Sequence, residues 1–274
     1  MQTIRLGINT TFAQRRWERP KQWMEIIHSN LELDICELSL DLIDPNLREP
    51  TKTAYLQEIL ELGDDYQIEL LSCCPGISKN NHDMLLHPNF GYRIQAIQWI
   101  ENAIDIAAYT RARYFGGYFG GLIVQEHTDS TLLDYAVFFL IDSMTYISSV
   151  AYAAGLNGMY FEPFSFFPET NKTIDLNLQI LQKIQNSSSL PIYLSPSSHH
   201  AKWIPKLQEK FHIAHIRHPS EAEQVHLQLN NSRVSNEPVN IVLNWIPSIN
   251  DTRDMVLNKL EKIVEDVKTT LKLE

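Results

Sequence analysis

The chain has 274 residues, of which 44% are hydrophobic and 20% are charged, and its formal net charge is −10. This length and composition suit one large α/β domain with an ordinary packed core. The acidic balance, without any basic run, argues against nucleic acid as a partner, and three cysteines are too few for a disulfide framework.

Short apolar segments alternate with helix-length segments along the whole chain. In the first half, the predicted strands and their following helices are 4–9 and 20–29, 35–40 and 51–62, 68–73 and 92–109, and 112–115 and 130–154. In the second half they are 158–161 and 176–185, 192–194 and 202–210, 213–216 and 221–229, and 241–245 and 253–273.

This alternation predicts a parallel sheet with covering helices. Eight units in about 250 residues fit a closed (β/α)8 TIM barrel better than an open doubly wound sheet. No glycine-rich nucleotide-binding motif follows any predicted strand, which removes the usual reason for an open sheet. We therefore expect one TIM-barrel domain over residues 1–274.

The longest apolar stretch, residues 135–156, contains Asp142 and several serines and threonines. A buried amphipathic helix explains this composition without a carboxylate in the middle of a membrane. The first residues lack a basic segment followed by an apolar core, so no signal peptide is expected. The sequence thus predicts a cytoplasmic protein without a membrane partner.

Polar residues follow most of the predicted strands, at the carboxyl ends where (β/α)8 barrels carry their chemistry. These strand ends are 9–11, 37–41, 73–76, 116–121, 162–164, 195–200, 215–218 and 244–247. We expect them to meet at the mouth of the barrel.

Five groups of residues carry a family resemblance that runs from Gly7 to nearly the C-terminus. They are Arg16-Trp17 with Pro20 and Trp23, 39–42 with Asp44-Pro45, 84–88, Gly116-Gly117 with Gly120, and Glu162-Pro163 with Pro168 and Thr170. With these the chain resembles the sugar phosphate isomerase/epimerase family, whose fold is the xylose-isomerase-like barrel. It looks closest to the branch that handles small ketose phosphates such as erythrulose phosphate.

The resemblance implies a divalent-metal site built from the last four strands. Family members use a Glu, an Asp, a His and a Glu in that order, and the metal polarises a ketose while a carboxylate moves the proton. Glu162 and His215 match the first and third ligands. Ser195 and Asn244 stand at the second and fourth positions, and no carboxylate occurs between Pro191 and Gln208. We therefore expect a degenerate site with no metal and no other cofactor.

The remaining site assignments leave alternatives open. Glu162 and His215 are the expected catalytic residues, and Glu162 is the proton-transfer group. The expected substrate-binding residues are Trp17, Asp41, Tyr118, Ser195, His199 and Asn244. Tyr118 stands where related sequences tend to carry His. A rearranged zinc or iron site would use Glu162, His199 and His215, but a position in a solvated loop before the helix at 202–210 is the favoured account of His199.

Three other features also have two interpretations. Glu37 and Asp41 are either substrate contacts or hydrogen-bonded strand-end residues. Cys73 and Cys74 have no neighbouring cation, which favours buried small hydrophobes over reactive thiols. The phenylalanines at 161, 164, 166 and 167 either raise the pKa of Glu162 or only pack the barrel top.

These observations favour an isomerase or epimerase that acts by proton transfer on a small carbohydrate or related polar metabolite. One alternative is a metal-independent lyase or dehydratase. Another is a non-catalytic relative that binds a metabolite or a partner protein. The sequence leaves a homo-oligomer open.

Overall fold

A computed structural model of the chain describes residues 3–76, 84–120, 130–162, 171–195, 204, 212–230 and 238–273. Its strands are β1 Ile4–Asn9, β2 Ile35–Ser39, β3 Glu69–Cys74, β4 Tyr114–Gly117, β5 Gly158–Phe161, β6 Ile192–Leu194, β7 Ile213–Ile216 and β8 Val239–Leu243. All pairs are parallel, in the order β6-β5-β4-β3-β2-β1-β8-β7. The sheet is a nearly closed barrel, which confirms the predicted (β/α)8 fold.

Helices cover the outside of the barrel between successive strands. They are α1 Pro20–Glu25, α2 Thr51–Tyr66, α3 Phe90–Tyr109, α4 Ser130–Ala153, α5 Asn171–Ser187, α6 Pro219–Asn230 and α7 Arg253–Leu271. A π-helical turn, Ile26–Asn30, continues α1, and two short 3-10 helices span Thr10–Ala13 and Met84–Leu86. The covering helix predicted at 202–210 lies outside the described residues, except for Ile204.

Two strands lie two residues away from their predicted positions. β4 begins at Tyr114 because the turn after α3 takes up residues 110–113, with Arg111 in a left-handed conformation and the Ala112 amide donating to the Ala107 carbonyl. β8 begins at Val239, whose amide donates to the Thr3 carbonyl. Asn244 therefore follows the last strand residue directly instead of lying within the strand.

The strands are buried on both faces, so the fold has two apolar clusters. The larger cluster fills the space between the outer strand faces and the helices. The smaller one lies inside the barrel and consists of Ile35, Leu71, Tyr114, Tyr160, Ile213 and Val242. Because side chains alternate along a strand, Glu37, His215 and Asn244 form the next inward-facing layer, two residues toward the mouth.

Between β6 and β7, side chains connect the two strands, and the described residues show no backbone ladder there. The Ser195 hydroxyl lies 2.9 Å from the Ile213 carbonyl oxygen and donates to it. The rings of Tyr193 and His212 meet edge to face with centroids 4.5 Å apart. Ser195, which directly follows β6, thus links the end of β6 to Ile213, the first residue of β7.

One helical segment, Thr131–Ala153 of α4, is long and apolar enough to cross a membrane by length and composition. It is 39% buried over its most apolar window, and α4 packs against α3, α5 and β5 as a covering helix of the barrel. Part of its apolar surface therefore packs against the barrel, and several of its large apolar side chains are exposed.

Candidate active site

The Glu37 carboxylate lies at the centre of a buried polar network inside the barrel. One oxygen accepts hydrogen bonds from Asn9 Nδ2 at 2.7 Å and from His215 Nε2 at 2.9 Å. The other accepts from the hydroxyl of Ser72 at 2.7 Å and from that of Tyr160. Four donors fill the four acceptor positions of a carboxylate, so the Glu37 side chain has no lone pair left for a substrate.

The four donors come from alternate strands, β1, β3, β5 and β7, while Glu37 belongs to β2. Such layers, contributed by every second strand, are the normal packing of a (β/α)8 interior. Tyr160 can cross the barrel because β4 carries Gly116 opposite it. A Cβ atom on Gly116 would lie 2.0 Å from the Tyr160 carbonyl oxygen and 2.6 Å from its Cγ.

The network holds opposite charges on Glu37 and His215. Burial disfavours both charged forms, but the neighbouring His215 and three hydrogen bonds lower the pKa of Glu37 to about 2. Burial lowers the pKa of His215, and Glu37 outweighs this effect, so the net shift is upward. Both directions favour an ionised pair at neutral pH.

Glu162 faces a different environment. It directly follows β5, and within the described part of the chain its carboxyl makes no hydrogen bond. Burial raises its pKa, Glu37 adds to the increase, and His215 and Arg217 oppose it. A carboxyl group whose pKa is raised accepts a proton more readily than an ordinary one, which suits it to proton transfer.

Glu162 and Asn244 both line a small cavity at the mouth, together with Asn9, Thr11, Gly117 and Tyr118. Its volume of about 20 Å³ has room for about one hydroxyl-sized group. The Asn244 Oδ1 atom is buried and finds no hydrogen-bond partner among the described residues. A buried acceptor without a donor is costly, so a ligand hydroxyl in this cavity would be stabilised.

Three of the six predicted substrate-binding residues lie at the cavity or directly behind it. Tyr118 and Asn244 line the cavity with Glu162. Ser195 is buried behind it, where its hydroxyl lies 2.8 Å from His215 Nδ1.

The other predicted substrate-binding residues lie away from the cavity wall or outside the described residues. Asp41 accepts a hydrogen bond from the Ser39 hydroxyl and lies beside Gly76. Trp17 is a core residue in ring contact with Phe12. His199 lies outside the described residues, as does the rearranged metal site that includes it. The roles of these residues stay predictions.

Cys73 and Cys74 are buried at the end of β3, and Cys36 is buried in β2. Burial raises the pKa of Cys73 to about 12 and raises that of the other two thiols as well. Thiols with raised pKa values are poor nucleophiles.

Sequence reasoning left Glu37 undecided and missed Asn9, Ser72 and Tyr160 as its partners. The available signal was the alternation of side chains along β2, which places Glu37 on the same inward face as Ile35. An acidic residue on the inner face of a fully buried strand requires partners. No sequence feature indicates which strands supply them.

The residues at the four positions that the resemblance assigns to a metal do not fit a divalent ion. Both ring nitrogens of His215 are engaged, one with Glu37 and one with Ser195, so His215 offers no lone pair. The Ser195 hydroxyl donates to a backbone carbonyl. One carboxylate, Glu162, and one amide oxygen, Asn244, remain, and a divalent ion needs more anionic ligands than that. Among the described residues, no group of three or more His, Cys, Asp or Glu side chains could hold a metal.

Solved structures with the same fold cover nearly the whole chain. A candidate xylose isomerase from Rhodospirillum rubrum superposes with a TM-score of 0.85 at 15% identity, over 97% of this chain and 99% of that one. D-psicose 3-epimerase from Clostridium cellulolyticum gives 0.72 at 13% identity, over 98% and 99%. The 3-keto-D-glucoside 4-epimerase of E. coli gives 0.66 at 13%, over 95% and 99%.

These similarities establish the xylose-isomerase-like barrel that the sequence predicts. No protein-family model matches the chain, and a search of curated proteins finds no significant match.

Proposed function

We propose that this barrel is an isomerase or epimerase that moves a proton on a small carbohydrate or related polar metabolite. The observation that carries the proposal is the Glu162 carboxyl, which faces the mouth cavity with a pKa raised by burial. The structural neighbours, which include two named sugar epimerases, support the choice of substrate class.

The geometry suits proton transfer at a carbon next to a carbonyl group. Glu162 as carboxylate takes the proton from carbon and, as carboxylic acid, returns it to the neighbouring carbon, which isomerises the substrate. For epimerisation, a second proton donor delivers a proton to the opposite face of the same carbon. Asn244 accepts a hydrogen bond from a substrate hydroxyl through its Oδ1 atom. Tyr118, which lines the same cavity, contacts the substrate beside it.

A lyase or dehydratase is the second candidate, because it begins with the same proton abstraction. Both ring nitrogens of His215 are engaged in hydrogen bonds, so His215 is not available as a metal ligand. This observation favours a reaction that needs no metal ion to polarise the substrate. A metabolite-binding protein without turnover is the third. In all three cases we propose one domain, a cytoplasmic location, and no tightly bound metal or other cofactor.

Deuterium exchange tests the proposal directly. Wild-type protein is incubated in D₂O with ketoses, ketose phosphates and related polyols, with EDTA or with Mn²⁺, and carbon-bound deuterium is measured by mass spectrometry. We expect Glu162→Gln to lower exchange by about 100-fold or more, because the amide cannot accept a proton. The matched control is Glu69→Gln, which changes a carboxylate at the opposite end of the barrel and should exchange at the wild-type rate.

Two outcomes would contradict the proposal. An unchanged rate of deuterium exchange in Glu162→Gln would show that Glu162 does not transfer the proton. The absence of wild-type exchange with every compound would favour the binding protein over the enzyme.

A further inference from the structure

We infer that the outer side of α3 and α4 is an interface at which two copies of this chain associate about a twofold axis. The interface is centred on exposed aromatic side chains, which we call the aromatic face: Phe90, Tyr135, Phe138, Tyr146 and Tyr152. None of these five residues lines the mouth cavity, so the inference does not rest on the proposed function.

The helix α4 is apolar on two opposite sides, and the barrel covers only one of them. The covered side consists of buried residues three or four positions apart: Ala136, Leu140, Met144, Ile147 and Ala151. At 3.6 residues per turn, the four aromatic residues that α4 gives to the aromatic face lie on the opposite side of the helix. The covering helix α7 differs, because it exposes Lys262, Glu265 and Asp266 instead. A helix that is apolar all round is typical of a position covered on every side.

Side-chain contacts make the aromatic face continuous from α3 to α4. The rings of Phe90 in α3 and Phe139 in α4 meet edge to face with centroids 6.4 Å apart. Further along, the Tyr146 hydroxyl donates to the Glu101 carboxylate of α3. Between positions 135 and 152 the face runs along about 25 Å of helix at 1.5 Å per residue.

The exposed area approaches what a stable dimer buries. An aromatic side chain has about 150–250 Å² of surface, so five that are 49% to 70% exposed present about 600 Å² together. Ile94 and Phe139 lie beside Phe90 and extend this area toward the ~800 Å² that each partner of a standard interface buries. Apolar patches of this size mark interaction sites on soluble proteins.

The charges on α4 favour a protein surface over a lipid surface as the occupant. The helix has no lysine or arginine, and its charged residues are Asp134 and Asp142. Helices that lie on membranes carry lysine and arginine on their polar side. The formal net charge of −10 also opposes contact with anionic lipids.

Charge complementarity favours a second copy over a different protein. The buried Arg93 guanidinium lies under the face, 5.3 Å and 4.1 Å from the ring centroids of Tyr135 and Phe139, and no acidic side chain of the described residues pairs with it. Asp134 is exposed one turn before Phe138 and has no basic partner in the same part of the chain. A twofold contact presents every residue to the opposite copy. Asp134 of each copy thereby brings an anion to the side of the other copy that holds Arg93.

Sedimentation velocity of the full chain at micromolar concentrations tests the interface. We expect the wild type to sediment as a dimer of 31.7 kDa chains. Phe138→Glu should raise the dissociation constant of the dimer by about 100-fold or more, because it buries a carboxylate in an apolar contact. The matched control is Leu227→Glu, which places the same charge on an exposed leucine of α6 and should stay dimeric. Circular dichroism checks that each variant folds, and Tyr152→Glu takes the place of Phe138→Glu if that variant does not.

Three outcomes would overturn the inference. A wild type that stays monomeric up to millimolar concentration would have no such interface. A dimer that both variants of the aromatic face leave intact would associate through another surface. A monomer that sediments with vesicles of phosphatidylcholine and phosphatidylglycerol, and that Phe138→Glu releases from them, would make the face a membrane contact. No substrate is used, so a failed exchange assay would leave these measurements intact.

Discussion

Two glutamates of this barrel lie at the same mouth and experience opposite environments. Glu37 receives four hydrogen bonds and has a pKa lowered to about 2. Glu162 receives none from the described residues and has a raised pKa. The comparison shows that burial alone does not mark a reactive carboxyl, because the number of donors facing the group determines which proton state it holds.

The largest expected effect is on stability, in Glu37→Gln. The change leaves the His215 cation buried without its anion, and breaking one side of a buried pair costs about 3–5 kcal/mol. The free energy of unfolding from urea denaturation measures it. The matched control, Glu69→Gln, removes half-exposed pairs with Arg5 and Arg113 and should cost about 1 kcal/mol or less. Equal losses in the two variants would mean that the network contributes no more than a surface pair.

The pH dependence of that loss has a definite sign. The pKa of Glu37 is lower in the folded protein than its ordinary value of 4.5, so its stabilisation is present above 4.5 and lost as the pH falls toward 2. The deficit of Glu37→Gln should therefore shrink below pH 4.5, and a deficit that grows there would contradict the lowered pKa.

An intermediate effect is expected in Gly116→Ala, which tests how Tyr160 reaches Glu37. The added methyl group would overlap the Tyr160 backbone, and overpacking of this kind costs about 1–3 kcal/mol. Gly63→Ala in α2 is the control, since its Cβ would meet nothing nearer than 3.5 Å and alanine favours helix by up to about 1 kcal/mol. Urea denaturation of both variants measures the difference. Two variants as stable as the wild type would show that β4 and β5 can separate without loss.

The smallest stability change is expected in Glu162→Gln. Because the folded pKa of Glu162 is raised, its contribution to stability is present below its ordinary pKa of 4.5 and is lost as the pH rises through the folded value. The variant should therefore gain stability relative to the wild type between pH 4 and pH 8, opposite in sign to Glu37→Gln. Melting temperatures across that range measure it, and a relative loss at pH 8 would mean that the carboxylate has a partner.

Much of the fold follows from the sequence. β1, β5, β6 and β7 have their predicted bounds, because polar or turn-forming residues interrupt the apolar runs at both ends. The strand-end rule of (β/α)8 barrels also indicated Glu162 and Asn244, which line one cavity.

The hydrogen bonds at the mouth could not be predicted in the same way. Tyr160 lies 123 residues from Glu37, and His215 lies 178 residues from it. Alternation tells which side chains point inward, but the choice of partner depends on side-chain length and on the space that Gly116 leaves open. The sequence therefore predicted the position of Glu162 better than it predicted the hydrogen-bonded network of Glu37 beside it.

The reach of the Glu37 network also has a consequence for how the chain folds. During synthesis, β1 to β3 supply Glu37, Asn9 and Ser72 long before Tyr160 and His215 exist. Closing such long loops is entropically expensive and slow, so a half-built barrel would hold an acid in its interior without its counterion. Once β7 is in place, His215 pairs with Glu37. The last quarter of the chain thereby completes the charge balance of the first quarter.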